Sequence, residues 1–341
     1  MKKSLLALAV LTAISGAASA QSSVTLYGKV DLGLVYDAGS SKGKSIRVSS
    51  GVSGGSRIGF KGVEDLGGGL KASFQLETGF CADSAQGAPN FCTGSNNFMG
   101  RQAYGALSGA FGSVSAGRQY SLGYITLTTI DPFGTGFAGQ SNNIMDTSGI
   151  RLNNSAQYNT PGYSGFNGAL EMSLGEQQGN WAAGRETGAS VTYASGPIYA
   201  GASWYDLNNA SASTARKTWN AGGTYDFGFV KAAGLVQGTK SDQNLVGTAR
   251  FDALNILVGG TVPLAGGSLM ACYIYHNDKL AADQNSQQWG LGLLYPLSKR
   301  TSIYTAYAWI NNRNGAPFTV GNATETGTGN KAFNFGAVHN F

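Results

Sequence analysis

From residue 23 onward the chain alternates. In "SVTLYGKVDLGLVYD" (23–37), Val24, Leu26, Gly28, Val30, Leu32, Leu34 and Tyr36 fall on one set of alternate positions. Thr25, Tyr27, Lys29, Asp31, Gly33, Val35 and Asp37 fall on the other. Successive side chains of a strand point to opposite sides, so one side of this segment suits an apolar medium and the other tolerates water. "KASFQLETGF" reads the same way, with Ala72, Phe74, Leu76, Thr78 and Phe80 against Lys71, Ser73, Gln75, Glu77 and Gly79. In "QQWGLGLLYP", Trp289, Leu291, Leu293 and Tyr295 share a side. Some stretches, such as 249–262, are too uniformly apolar to assign a face. Helical spacing is almost nowhere to be found.

Turn residues divide the alternation into sixteen expected strands: 23–37, 56–64, 69–80, 100–108, 112–119, 150–158, 166–174, 186–194, 197–207, 217–226, 229–238, 247–262, 267–276, 286–296, 300–310 and 331–341. Tight connections such as "DLGGG" (65–69) and "PLAGG" (263–267) alternate with longer polar ones at 38–55, 81–99, 120–149 and 312–330. That is the pattern of a meander whose two rims face different compartments. A soluble sandwich also alternates, but its strands average about 5–6 residues, whereas a tilted membrane-crossing strand needs about 9–11. Most runs here reach the greater length. Aromatics gather near strand ends, at Tyr36, Phe80, Trp204, Tyr205, Trp289, Tyr295 and Trp309, where a bilayer interface suits an amphipathic ring.

Composition agrees. Charged residues make up 12% of the chain, about half the share usual for a soluble protein. Glycine contributes 52 residues and proline only 7, which excludes a collagenous or Pro-rich chain. No stretch after residue 20 approaches 18 continuous apolar residues, so no membrane-spanning helix is expected. Without Lys2 and Lys3, 21 basic residues face 18 acidic ones, a balance too mild and too dispersed for nucleic acid.

Residues 1–20, "MKKSLLALAVLTAISGAASA", carry Lys2 and Lys3, an apolar run from Leu5 to Ile14, and the small-x-small triplet Ala18-Ser19-Ala20. This is the form of a cleaved secretory signal, leaving 21–341 as one domain. As a helix the apolar run rises only about 15 Å, against about 30 Å of hydrocarbon. Cys81 and Cys92 flank a polar segment. A disulfide between them would close a loop of about a dozen residues and stabilise by on the order of 3 kcal/mol; two free thiols are the alternative. Cys272 sits in an apolar run, and three cysteines with the distant His276 and His339 give no metal-ligand spacing.

An exported chain with low charge, no apolar helix and an even number of long strands is expected to be all-β, a 16-stranded antiparallel transmembrane β-barrel. The ring must close, because an open edge in hydrocarbon strands backbone groups at several kcal/mol each. The last strand, "KAFNFGAVHNF" (331–341), is then expected to pair with the first, holding Phe341 at a bilayer interface. A hydrolase would need a nucleophile beside a histidine, and neither His276 nor His339 has such a motif nearby; no enzymatic activity and no cofactor are expected.

Four stretches are similar to the trimeric general porins of Gram-negative bacteria, in particular the neisserial and Burkholderia/Bordetella type: "SSVTLYGKVDLGL", "SRIGFKGVEDLGGGLKASFQLE" (56–77), "RQAYGALSGAFGSVSAGRQYSLG" (101–123) and the closing "FGAVHNF". The resemblance runs the length of the mature chain, more by pattern than by letter in the later strands. It implies a homotrimer in the outer membrane, surrounded by lipid and lipopolysaccharide, with Phe341 as the signal read by the barrel-assembly machinery. It also implies that the third long loop, 120–149, folds inward. "DPFGTG" (131–136) resembles the family's bend there, with Asp131 the first choice for the constriction carboxylate and Asp146 the second.

The matching basic wall positions are Arg57, Arg118 and Arg151, with Arg101, Lys61 and Lys29 as companions. Lys29, Arg57 and Lys61 lie opposite the apolar residues of their strands. Arg118 shares parity with Val114 and Ala116, so its lumen placement requires a bulge. Opposed basic and acidic rows would set a transverse field, and the surplus of positive charge would favour anions among the ions and small polar solutes that pass. Tyr120, Tyr124 and Phe137 in the loop leave a solute-specific channel, or an adhesin, as rival readings. The folded protein is expected to give stepwise conductance in a planar bilayer; a chain that stays dissolved and monodisperse without detergent would contradict the barrel.

Overall fold

The computed structural model describes residues 23–84, 98–147, 149–209, 215–241 and 251–341. The proposed signal segment, residues 1–20, and Cys92 lie outside the described residues. Seventeen strand segments form one antiparallel sheet: β1 (Ser23–Ser40), β2 (Gly43–Ser50), β3 (Arg57–Gly67), β4 (Leu70–Gly79), β5 (Gln102–Gly109), β6 (Gly112–Tyr120), β7 (Arg151–Asn159), β8 (Phe166–Ser173), β9 (Glu186–Ser195), β10 (Ile198–Asn208), β11 (Ala215–Asp226), β12 (Lys231–Ser241), β13 (Phe251–Leu264), β14 (Gly267–Asp278), β15 (Ser286–Pro296), β16 (Thr301–Asn312) and β17 (Lys331–Asn340). Both β2 and β3 pair along β1, so they are two halves of one strand and the ring has sixteen staves.

The ring closes through β1 and β17, from Lys29 opposite Asn340 to Ala38 opposite Lys331. Phe341 completes the seam: its N–H donates to the Gly28 carbonyl (3.1 Å) and its carbonyl accepts from the Gly28 N–H (3.0 Å). Every stave therefore has a partner on both sides, which is what a sheet surrounded by hydrocarbon requires. The Phe341 ring lies over Gly28, where a Cβ would collide with it.

Short turns gather on one rim. At residues 67–69 three glycines with φ of +85°, +60° and +83° make a turn that side chains with a Cβ would strain. The other rim carries the long segments. One expected loop, 38–55, is mostly strand: β1 runs on to Ser40 and pairs with β2 as far as Ser40 opposite Gly43. Its serines and lysines disguise the alternation, yet Ile46 and Val48 are exposed on the outer surface while Arg47 points in to Asp37 (2.6 Å). The stave then breaks at 51–56. Asp31 holds the break, accepting from Ser53 N (2.7 Å), Gly54 N (2.9 Å) and Ser53 Oγ (2.5 Å).

The outer surface carries Val24, Leu26, Leu34, Phe74, Leu107, Leu170, Val258 and Leu291. Cross-strand tryptophan pairs Trp204–Trp219 and Trp289–Trp309 lie on this face. Tyr205, expected among these interfacial rings, is instead fully buried, because it alternates with Trp204 and points inward.

Residues 121–147 pack against the inner side of the ring. Their helix, α1 (Leu122–Ile130), is capped by Ser121 Oγ, which accepts from Tyr124 N (3.2 Å). Leu127, Ile130, Phe133, Phe137, Ile144 and Met145 form an apolar core with Leu235, Leu257, Cys272, Ile274, Ala308 and Ile310 from the inner faces of β12 to β16. This explains why the run shows no face over 251–262: Ile256 and Val258 are exposed on the outer surface while Leu257, on the inner side, packs against the loop. Polar ties reinforce the packing, Gln288 Nε2 to Gly139 O (3.0 Å) and Gln140 Nε2 to Asn322 O (2.6 Å) among them.

Gly28→Val is expected to displace the Phe341 ring and destabilise the barrel by about 1–3 kcal/mol, read as a lower urea midpoint for the heat-modifiable folded band. Adding Phe341→Ala should then cost little more, because the two residues share one contact.

Candidate functional site

Strand register brings the basic residues together. Lys29 stands opposite Arg57 across β1 and β3. Arg101 immediately precedes β5, Ala103 faces Arg118 across β5 and β6, and Tyr120 faces Arg151 across β6 and β7. Their side chains line one cavity of about 580 Å³. Arg118 reaches it through a register shift between Gly117 and Gln119. Gly117 has φ of +134°, and a Cβ there would strike the Ala103 carbonyl, so the bulge depends on glycine. Lys61 is not part of the lining; its Nζ stands over the Tyr27 ring at 5.5 Å.

The arginines are spread by specific partners. Glu77, buried on β4, accepts from Arg101 Nε (2.7 Å) and Tyr27 Oη (3.0 Å), with Arg57 Nε 3.6 Å away. Tyr120 Oη accepts from both Arg101 Nη2 (3.1 Å) and Arg151 Nη2 (3.0 Å). The Arg151 guanidinium also lies over the Tyr120 ring, 4.6 Å from its centroid. Arg118 Nε donates to Gly100 O (2.6 Å). Among the described residues, Lys29, Arg118 and Arg151 have no carboxylate at ion-pair distance, and no carboxylate lines the cavity.

The two candidate loop carboxylates face elsewhere, so the opposed acidic row expected from the sequence is not present around the cavity. Asp131 is buried, accepting from the backbone N–H groups of Phe133 (2.9 Å), Thr135 (3.1 Å) and Ser141 (2.9 Å). Burial pushes its carboxyl above the ordinary range, against the pull of those amides. It organises the "DPFGTG" bend. Asp146 reaches the opposite wall, accepting from Arg216 Nη1 (2.9 Å) and Thr218 Oγ1 (3.0 Å) on β11. On the loop side the cavity is lined by Tyr124, Ile125, Thr128, Gly134, Thr135 and Ile150.

Glu77, Tyr27 and Ile125 were not singled out from the sequence. Glu77 sits on the polar side of "KASFQLETGF", so its inward direction was readable; its arginine partners, on β3 and just before β5 and as far as 24 residues away, were not. His276 is buried, with Nδ1 2.6 Å from Asn255 Oδ1 and its ring 4.7 Å from that of Phe318.

A closed sixteen-stave ring with an apolar outer surface and a charged cavity beside an internal loop defines a membrane channel. The family model described as Gram-negative porin matches residues 7–315, and the chain belongs to that family. It is 38% identical over 336 residues to outer membrane porin protein 32 of Delftia acidovorans, covering 93% of this chain and 91% of that one. It is 32% identical to an outer membrane porin protein of Bordetella pertussis, covering 92% and 95%. Among solved structures, the anion-selective porin from Comamonas acidovorans superposes with a TM-score of 0.78 at 30% identity, covering 94% of this chain and 100% of that one. The protein is thus a porin of the Gram-negative outer membrane, conducting through a water-filled barrel.

Asp146→Asn keeps the shape of the loop tie and removes its charge. It is expected to leave Arg216 poorly compensated, lower stability by about 1–3 kcal/mol and raise open-channel current noise in single-channel records.

Proposed function

We propose that this porin passes small hydrophilic solutes with a preference for anions, and that Lys29, Arg57, Arg101, Arg118 and Arg151 form the wall of its constriction. The observation that carries the reading is the cation-only charge of the cavity lining. Fixed positive charge at a narrow, partly dehydrated point raises the local concentration of anions and lowers that of cations. Glu77 offsets part of the charge of Arg101 and Arg57, so the preference is moderate. The similar Comamonas acidovorans porin is described as anion-selective, which is in keeping with it.

Three copies assemble in the membrane, with lipid and lipopolysaccharide against the remaining outer face. The signal of residues 1–20 is removed on export, and the strand ending in Phe341 is presented to the assembly machinery. These readings are supported by the family resemblance and by the seam at Phe341.

Replacing Arg57 and Arg118 by glutamine should move the zero-current potential in a tenfold KCl gradient toward cation preference by several millivolts, against the about 59 mV of a perfectly selective channel. Unchanged potentials would refute the charge assignment. The preference should also fade from 0.1 M to 1 M salt, as the screening length contracts from about 10 Å to about 3 Å.

A further inference from the structure

The wall opposite the arginines is unusual for a site that handles ions. Ile125 is 40% exposed although it lies on a loop packed inside the barrel, and it borders the same cavity as Arg101, Arg118 and Arg151. Beside it, Tyr124 stacks on Tyr120 with centroids 5.1 Å apart and an interplanar angle of 24°. Arg151 lies on Tyr120 in turn. The cavity therefore runs from a guanidinium, across two stacked rings, to an exposed aliphatic side chain. Asp131 and Asp146, the groups that could have made the loop side acidic, are engaged with the loop's own amides and with Arg216.

Two neighbouring surfaces of different chemistry define a ligand class. We propose that the cavity is a binding site for aromatic monocarboxylates, the carboxylate held by the wall arginines and the ring lying against Ile125 and the edge of the Tyr120–Tyr124 stack. The proposal rests on the anion-channel reading above and deepens it. A small inorganic anion uses only the basic half of the cavity. An aromatic carboxylate also removes apolar surface from water on the loop side, a gain that a ring stacked near aromatic side chains increases. Opposed charge rows would penalise such a solute, because its ring would have to displace water ordered between them. Among the described residues no carboxylate lines the loop side of the cavity, so that penalty is absent.

The test uses the full-length protein in a planar bilayer, with benzoate, acetate or benzyl alcohol added to KCl and the chloride current recorded. Benzoate is expected to reduce the current with a half-effect concentration about tenfold below that of acetate. Benzyl alcohol, which has the ring but no charge, should not reduce it over the benzoate range. Ile125→Ser should bring the benzoate value at least several-fold closer to that of acetate. Equal half-effect concentrations for benzoate and acetate in the unaltered protein would overturn the aromatic site while leaving the anion channel standing. Benzyl alcohol acting as strongly as benzoate, or Ile125→Ser leaving the benzoate advantage intact, would overturn it as well. Cation preference in the unaltered protein would overturn the anion-channel reading and the site with it.

Discussion

Hydrocarbon offers a backbone no hydrogen-bond partner, and that single deficit dictates the architecture. Each unpaired N–H or C=O would cost several kcal/mol, so a chain without apolar helices crosses a bilayer only as a sheet without edges. The seam between β1 and β17 meets this requirement along ten residue pairs. Phe341 adds a reciprocal bond pair to Gly28, and its ring covers the surface that the missing Gly28 side chain leaves open. Phe341 is thus tied to Gly28 through both its backbone and its ring.

Closure makes a tube, and the tube is narrowed unevenly. Apolar residues on the inner faces of β12, β13, β14 and β16 meet the apolar side chains of residues 122–145 in a packed core, and buried polar groups such as Gln237, Asn255 and Gln288 lie beside it. Such a core resists displacement because its members are held by many small contacts. The loop is also fastened at its far side, by Asp146 to Arg216 and by Gln288 to the Gly139 carbonyl. The cavity is left beside the opposite wall, β1 to β7, where the basic side chains stand.

Charge at that wall is tolerated because it is distributed. Burying several cations together is costly unless each finds acceptors. Glu77 serves Arg101 and approaches Arg57, Tyr120 Oη takes a donor from each of Arg101 and Arg151, and Arg118 uses a backbone carbonyl. Neutral acceptors fix the guanidinium positions without cancelling their charge. The loop acids hold the loop's shape and do not line the cavity beside the wall.

Period-two alternation, strand length and the export pattern were enough to read an all-β, sixteen-stave barrel from the amino acids alone, since one face of each strand must meet lipid and the other must not. The seam at Phe341 followed from the same demand. The parity of Lys29, Arg57 and Glu77 was equally plain, because direction in a strand depends only on counting. Three features depended on distance in space. The 38–55 segment reads as loop by composition, yet β1 captures it as strand. Arg118 enters the lumen only because Gly117 admits a bulge. Asp131 and Asp146 carry the same charge as any constriction acid, and only the positions of the loop amides and of Arg216 turn them away from the cavity. Local pattern determines which side of a strand a residue takes; which partner it meets there depends on strands and loops brought together from far along the chain, and that was settled by the tertiary structure alone.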